Sequence, residues 1–227
     1  MTTHLLSPLL YVGFYRAMRR IPPCPHSETM KRLRMWHNVG LSTYSLITLG
    51  CVVVGLWSTP KTNTLHSSVC DPFPDSRWLD VAFVSFLYSK YWEWIDTLFL
   101  HLAGRPVSWL QLTHHASTAL LVHINIHDNG VTQYSSHIVV PVVTNCMAHV
   151  PMYWYFAFPK GILRTHAKHI TTFQIVQHVL CIVTILYTAT QDCRVNTHSH
   201  HVSLSLYVMY LFFFAHFYRA RYSAKES

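Results

Sequence analysis

The chain has 227 residues, of which 51% are hydrophobic and only 11% charged, less than half the charged share of about 25% usual in soluble domains. Its net charge of +8 is dispersed between apolar stretches instead of being gathered on one face, which argues against nucleic acid as a partner. Six cysteines in such a chain are no disulfide framework, so soluble globular and disulfide-scaffold classes are excluded and a polytopic membrane protein remains.

The first apolar stretch, 4–18, is short of the ~20 residues a spanning helix needs. It reads as either a shortened first span or an interfacial helix. A cleavable signal is not expected, because Arg16, Arg19 and Arg20 follow the apolar run instead of preceding it. Residues 1–35 are expected to hold this segment and a basic connection, broken at Pro22-Pro23-Cys24-Pro25. Longer apolar stretches follow at 37–58, 79–101, 108–127, 133–157, 169–190 and 202–220, with a tight turn at Asn129-Gly130 between the fourth and fifth spans, 4–18 being the first. Backbone in lipid must satisfy its own hydrogen bonds, and these stretches lack the alternation of barrel strands. The expected fold is an all-α polytopic membrane protein, a bundle of six to seven transmembrane helices forming one domain over residues 1–227.

Lysine and arginine placement orients the bundle. Arg16, Arg19, Arg20, Lys31, Arg32, Arg34, Arg105, Lys160, Arg164, Lys168, Arg219, Arg221 and Lys225 alternate with connections holding only Lys61, Arg77 and Arg194. The positive-inside rule puts the first group and the C-terminus in the cytosol. Cys70 and Cys193 then fall on the opposite side, an oxidising compartment in secretory membranes. A bridge between them is the expectation and two free thiols the alternative. Cys51, Cys146 and Cys181 lie within spans and read as small apolar fillers.

The third span carries Ser89-Lys90-Tyr91-Trp92-Glu93-Trp94-Ile95-Asp96-Thr97. Each ionised residue near a bilayer midplane costs roughly 2.5 to 3.5 kcal/mol on the insertion scale, so such groups usually face the protein interior and mark function. Lys90, Glu93 and Thr97 share one helical stripe with Asp96 beside it, and Lys90 can pair with Glu93. In the next span, Gln111, His114, His115 and Thr118 share a face; in the fifth, Asn145, His149, Met152 and Tyr153; in the sixth, Thr171, Gln174, Gln177 and His178, the last set equally readable as interhelical hydrogen-bonding glue. Four successive inward polar stripes would line a polar chamber inside the membrane. His198, His200 and His201 read as a solvated loop patch on the non-basic side, and His123, His127 and His137 show no pairing. Tyr207, Tyr210, Phe212, Phe213 and Phe214 in the last span read as packing or lipid contact.

The order and spacing of Lys90-x-x-Glu93-x-x-Asp96-Thr97, His114-His115-Ala116, Asn145-x-x-x-His149-x-x-Met152-Tyr153 and Thr171-x-x-Gln174-x-x-Gln177 resemble the four signatures of the ELO-type fatty acid elongases. The resemblance covers roughly residues 30 to 220, Trp36-His37-Asn38 included. It departs at Gln111, where the family usually has the first histidine of H-x-x-H-H; glutamine there also occurs in some protist elongases acting on polyunsaturated chains. The resemblance implies a helical bundle enclosing an acyl-chain tunnel and a multi-pass location in the endoplasmic reticulum membrane. It implies a very-long-chain 3-oxoacyl-CoA synthase that condenses acyl-CoA with malonyl-CoA to 3-ketoacyl-CoA, CO2 and CoA. No cofactor or metal is expected beyond these two substrates, and other enzymes of the elongation cycle or a second copy of the chain are the expected protein partners.

The family's mechanism puts the acyl group on His114, with His149 and His115 as further catalytic residues. Neutral imidazole is a nucleophile at its usual pKa of about 6.5. His149, Asn145 or Gln111 can stabilise a developing oxyanion, and Asp96 or Glu93 can orient a histidine. Lys90, Tyr153, Gln174 and Gln177 complete the expected support, and Arg105, Lys160, Arg164 and Lys168 are candidate contacts to CoA phosphates. Two other readings of the histidine pattern are a membrane di-iron desaturase or hydroxylase and a non-enzymatic seven-helix transporter or receptor.

Overall fold

A computed structural model of the chain describes residues 6–58, 70–71, 76–129, 136–191, 193 and 195–222. Among these run eight α-helices: α1 (Leu6–Met18), α2 (Glu28–Ser58), α3 (Arg77–Trp92), α4 (Trp94–Leu102), α5 (Trp109–Asn129), α6 (Ser136–Ala157), α7 (Ala167–Thr190) and α8 (Thr197–Tyr222), with a 3-10 turn at Ile162–Arg164. Gly130 of the expected tight turn, Lys61, Arg194, Lys225 and the side chains of His127 and His137 lie outside the described residues.

Three helices, α2, α7 and α8, are long and apolar enough to cross a membrane by length and hydropathy alone. The 13 residues of α1 rise about 20 Å at 1.5 Å per residue, short of the ~30 Å hydrocarbon layer. Outward-facing Leu46, Ile47, Val53 and Val54 on α2 and Val176, Val179, Val183 and Leu186 on α7 are exposed, as lipid-facing surfaces require.

The expected single helix over 79–101 is interrupted at Glu93. The Glu93 amide still bonds the Ser89 carbonyl at 2.8 Å, but the Asp96 amide reaches back only three residues, to Glu93. The tightened turn separates α3 from α4 and coincides with the polar run, where 3-10 turns inside helices often mark functional sites. Gly104 ends the column in left-handed conformation with φ 65°, which favours glycine.

The helices close a ring: α2 packs on α3 and α6, α6 on α7, α7 on α8, α8 on α5, and α5 on α3, while α1 lies against α4 and α5. Two apolar clusters fill it. Val52, Leu79, Phe83, Phe86, Val139 and Val142 join α2, α3 and α6; Leu121, Cys181, Ile185, Tyr207 and Tyr210 join α5, α7 and α8. Ser42 Oγ donates to the Val150 carbonyl at 2.9 Å, a polar tie between α2 and α6 of the kind membrane helices use in place of a hydrophobic drive.

Alternating helix direction gathers every described lysine and arginine except Arg77 and Lys90 at one end of the ring. At the other, Cys70 and Cys193 form a disulfide across 123 residues; closing so long a loop is worth about 4 to 5 kcal/mol on the chain-entropy account. The loop expected at 198–201 is instead the first turn of α8. Asn196 Oδ1 accepts from the amides of His198 and Ser199 at 2.9 and 3.3 Å, a cap that starts the helix five residues before its apolar run. His200 is consequently buried and bonded to Thr188 at 2.8 Å, not part of a solvated patch. His123 also has a partner, the Tyr91 hydroxyl.

Candidate active site

Three hydrogen-bonded networks and two histidines without side-chain hydrogen bonds among the described residues, His114 and His178, occupy the half of the ring nearer the basic end. The first is a closed cycle. Lys90 Nζ donates to Glu93 Oε1 at 2.7 Å and to Asn145 Oδ1 at 2.9 Å. The Asn145 amide meets His149 Nε2 at 3.2 Å, and His149 Nδ1 lies 3.5 Å from Glu93 Oε1. Ser89 Oγ also donates to Glu93, at 3.2 Å. Lys90 and Glu93 are 2% and 1% exposed, so each ion's desolvation is offset only by the other and by these added bonds. The Lys90 ammonium also sits 4.3 Å over the Phe86 ring, a favourable cation–π placement.

The second network starts from Asp96. Its two carboxylate oxygens accept from His37 Nε2 at 2.7 Å and from the Tyr153 hydroxyl at 2.8 Å. Trp92 Nε1 in turn donates to His37 Nδ1 at 3.1 Å. Gly40 makes room for this: a Cβ there would stand 3.1 Å from the Trp92 ring. Asp96 therefore orients His37, a residue the sequence reading left without a role, and Glu93 faces His149; neither carboxylate is bonded to His114.

The third network joins α1, α4 and α5. Tyr11 and Thr97 hydroxyls lie 2.9 Å apart, Gln111 Nε2 reaches Thr97 at 3.4 Å and His115 Nε2 at 2.9 Å, and Trp94 Nε1 donates to the His115 carbonyl at 3.0 Å. The expected common face of α5 thus resolves into two ridges. Gln111 and His115 turn toward α1 and α4, whereas His114 and Thr118 turn into the ring. On α7, Gln174 donates to Met152 Sδ at 3.1 Å, and Gln177 lines the interior.

His114 makes no side-chain hydrogen bond among the described residues. Its ring rests on Tyr210 and Phe214, centroids 5.0 and 5.9 Å away, and borders a cavity of about 30 Å³ with Lys90, Thr118, Asn145 and His178. A second cavity of similar volume shares Phe86, Leu121, Val122, Pro141 and Tyr207 with it and runs on past Phe83 and Ile138 to Asn125 and Ser203. At the basic end, a cavity of about 120 Å³ is bordered by Lys31, Arg34 and Arg105. Of the four candidate phosphate contacts only Arg105 belongs to it. Lys160, Arg164 and Lys168 are exposed along the α6–α7 connection, with Lys168 Nζ 6.0 Å over the Tyr218 ring.

Sequence reasoning missed His37, Trp92 and Tyr11. A signal existed for His37, since Asp96 buried in lipid requires a donor and His37 begins the facing span. Tyr11 had none: its bond to Thr97 crosses 86 residues.

An all-helical ring with ionised and imidazole groups held inside defines a polytopic membrane protein. The model of the family "ELO: GNS1/SUR4 family" matches residues 2–227, and the chain belongs to that family. It is 28% identical over 206 residues to fatty acid elongase A of Dictyostelium discoideum, covering 85% of this chain and 74% of that protein. Fatty acid elongase 2 of Trypanosoma brucei brucei is 31% identical over 202 residues, with 80% and 71% covered. Long chain fatty acid elongase 2 of Caenorhabditis elegans is 33% identical over 217, with 88% and 75% covered. The chain is thus a multi-pass membrane fatty acid elongase, with the 3-ketoacyl-CoA synthase activity its family implies. Membership sets aside the desaturase and transporter readings.

Gln111→Leu is expected to lower elongation more than Gln111→His. The leucine leaves His115 Nε2 and Thr97 without the amide that meets both, a buried loss of about 1 to 3 kcal/mol, whereas imidazole retains an N–H. Incorporation of labelled malonyl-CoA by the purified variants checks this; full activity in Gln111→Leu would reduce the position to packing.

Proposed function

We propose that the chain, as one domain over residues 1–227, elongates long-chain acyl-CoA, polyunsaturated chains included, through an acyl group held on His114. The observation that carries this is the contrast among three histidines. Amides occupy Nε2 of both His115 and His149, while His114 borders the cavity with its nitrogens unbonded. A ring nitrogen of His114 attacks the thioester carbon, the C–S bond breaks, and the CoA thiolate takes the proton the imidazole gives up. Malonyl-CoA then loses CO2. The resulting enolate carbon attacks the acyl carbonyl, the bond to His114 breaks, and a proton from solvent restores the imidazole. The Asn145 amide, anchored by Lys90 and held by His149, supplies an N–H donor at the enolate oxygen. Tyr153, Asp96 and Gln111 hold the surrounding helices in register, and Gln174 and Gln177 border the acyl path from α7.

The acyl chain runs along the two adjoining cavities from His114 toward Asn125, about 16 Å along α5. The CoA phosphates meet Arg105 with Lys31 and Arg34, and Lys160, Arg164 and Lys168 extend the same basic end. In this reading the protein lies in the endoplasmic reticulum membrane with its basic end and C-terminus in the cytosol, by the distribution of lysine and arginine. The other enzymes of the elongation cycle or a second copy of the chain are its protein partners. Membranes containing the protein, given labelled malonyl-CoA and acyl-CoAs of graded length and unsaturation, should yield labelled 3-ketoacyl products two carbons longer. Absence of incorporation with every acyl-CoA refutes the proposal.

A further inference from the structure

Hydroxyls on these helices often bond back into their own helix. Thr113, Ser117, Thr144, Thr184 and Thr188 each donate to the carbonyl four residues earlier, at 2.6 to 3.1 Å. Thr118 does not. Its residue is 8% exposed, and its Oγ1 is buried with no hydrogen-bond partner among the described residues. His178 is more unusual still: it is 2% exposed, and both ring nitrogens are buried without a partner. An unmade hydrogen bond at a buried polar atom is costly, so such atoms call for an occupant that arrives from outside.

Both residues border the small cavity that His114 borders. Thr118 stands one turn beyond His114 on α5. His178 comes from α7 and shares two ring neighbours with His114: its centroid is 5.7 Å from Tyr210 and 4.9 Å from Phe214, against 5.0 and 5.9 Å for His114. Those rings fix both imidazoles without using any of their nitrogens. Lys90, which also borders this cavity, is already committed to Glu93 and Asn145.

We infer that Thr118 and His178 form the donor pair that stabilises the oxyanion when an acyl group passes to His114. The inference rests on the reading of His114 as acyl carrier. As the bond between the His114 nitrogen and the thioester carbon forms, the carbonyl oxygen takes the π electron pair. The Thr118 O–H and the single N–H of neutral His178 donate to that oxygen. When the tetrahedral adduct collapses, the pair returns to the carbonyl, the C–S bond breaks, and the thiolate leaves with the proton released by His114. Thr118 and His178 exchange no proton and finish unchanged.

The test uses the full-length purified protein and variants chosen to keep shape: Thr118→Val and His178→Phe remove a donor, Thr118→Ser and His178→Gln keep one. Acyl-CoA is supplied without malonyl-CoA, first-turnover release of free CoA is timed, and acyl-CoA affinity is measured separately. Thr118→Val and His178→Phe should each slow release on the order of 100-fold with affinity unchanged, and Thr118→Ser and His178→Gln should recover most of the rate. Wild-type release rates in either Thr118→Val or His178→Phe, affinity falling in step with the rate, or conservative variants as slow as the disruptive ones would each overturn the pair. A wild type that itself releases no CoA overturns the acyl carrier and the pair with it, an outcome distinct from failure of the variants alone.

Discussion

His114→Ala is expected to release no CoA from acyl-CoA alone and to gain no acyl mass, whereas His149→Ala should release one equivalent, retain the acyl group and then stall when malonyl-CoA is added. The separation follows from geometry. His114 has no hydrogen-bond partner to lose, so its removal deletes the nucleophile and leaves the three networks standing. His149 belongs to the cycle with Lys90, Glu93 and Asn145, and its loss leaves the Asn145 donor of the condensing step without the ring that holds it. Loss of overall activity should be on the order of 10⁴-fold or more for His114→Ala, the scale set by other nucleophile deletions, and about 10²- to 10³-fold for His149→Ala. Intact-protein mass and a CoA-release assay read both half-reactions. If malonyl-CoA is needed before any CoA leaves, and no adduct is trapped even in His149→Ala, direct condensation in a ternary complex replaces the two-step mechanism.

Lys90→Met should destabilise the folded protein by about 3 to 5 kcal/mol, because it strands the Glu93 carboxylate without its counter-ion. The expected readout is a lowered thermal midpoint in detergent together with loss of elongation. The double variant Lys90→Met, Glu93→Leu removes both charges and should regain most of the midpoint, since an apolar pair of similar volume is often no worse than a buried ion pair. It should regain no activity, because Asn145 and His149 then have nothing to orient them. A Lys90→Met protein as stable as the wild type would show that Glu93 is held neutral or solvated.

What could be read before the structure was whatever helical periodicity controls. Lys90 and Glu93 are three residues apart at the end of α3, where Glu93 is the cap, and Asn145 and His149 are four apart within α6, so both bonds follow from local helical spacing. Ionisable groups in an apolar run also announce themselves by their cost. Contacts that depend on which spans adjoin were not legible. The His37 to Asp96 bond crosses 59 residues, and the placement of His178 against Tyr210 and Phe214 depends on α7 packing on α8. The turn at Glu93 escaped because no proline or glycine marks it, and the start of α8 because Asn196 caps the helix upstream of its apolar residues.

The Lys90 cycle also decides where a proton resides in a residue that Lys90 does not bond. The ammonium can only donate, so Asn145 must present its oxygen to Lys90 and its NH2 to His149; rotating the amide would set donor against donor. Nε2 of neutral His149 is thereby made an acceptor, and its proton is confined to Nδ1, on the Glu93 side. The lone pair on Nε2 is bolted by an amide whose orientation is set from the far side of the helix pair. His149 can act as a base at Nε2 only after that amide lets go, so Asn145 is a latch and Lys90 the hand that keeps it shut.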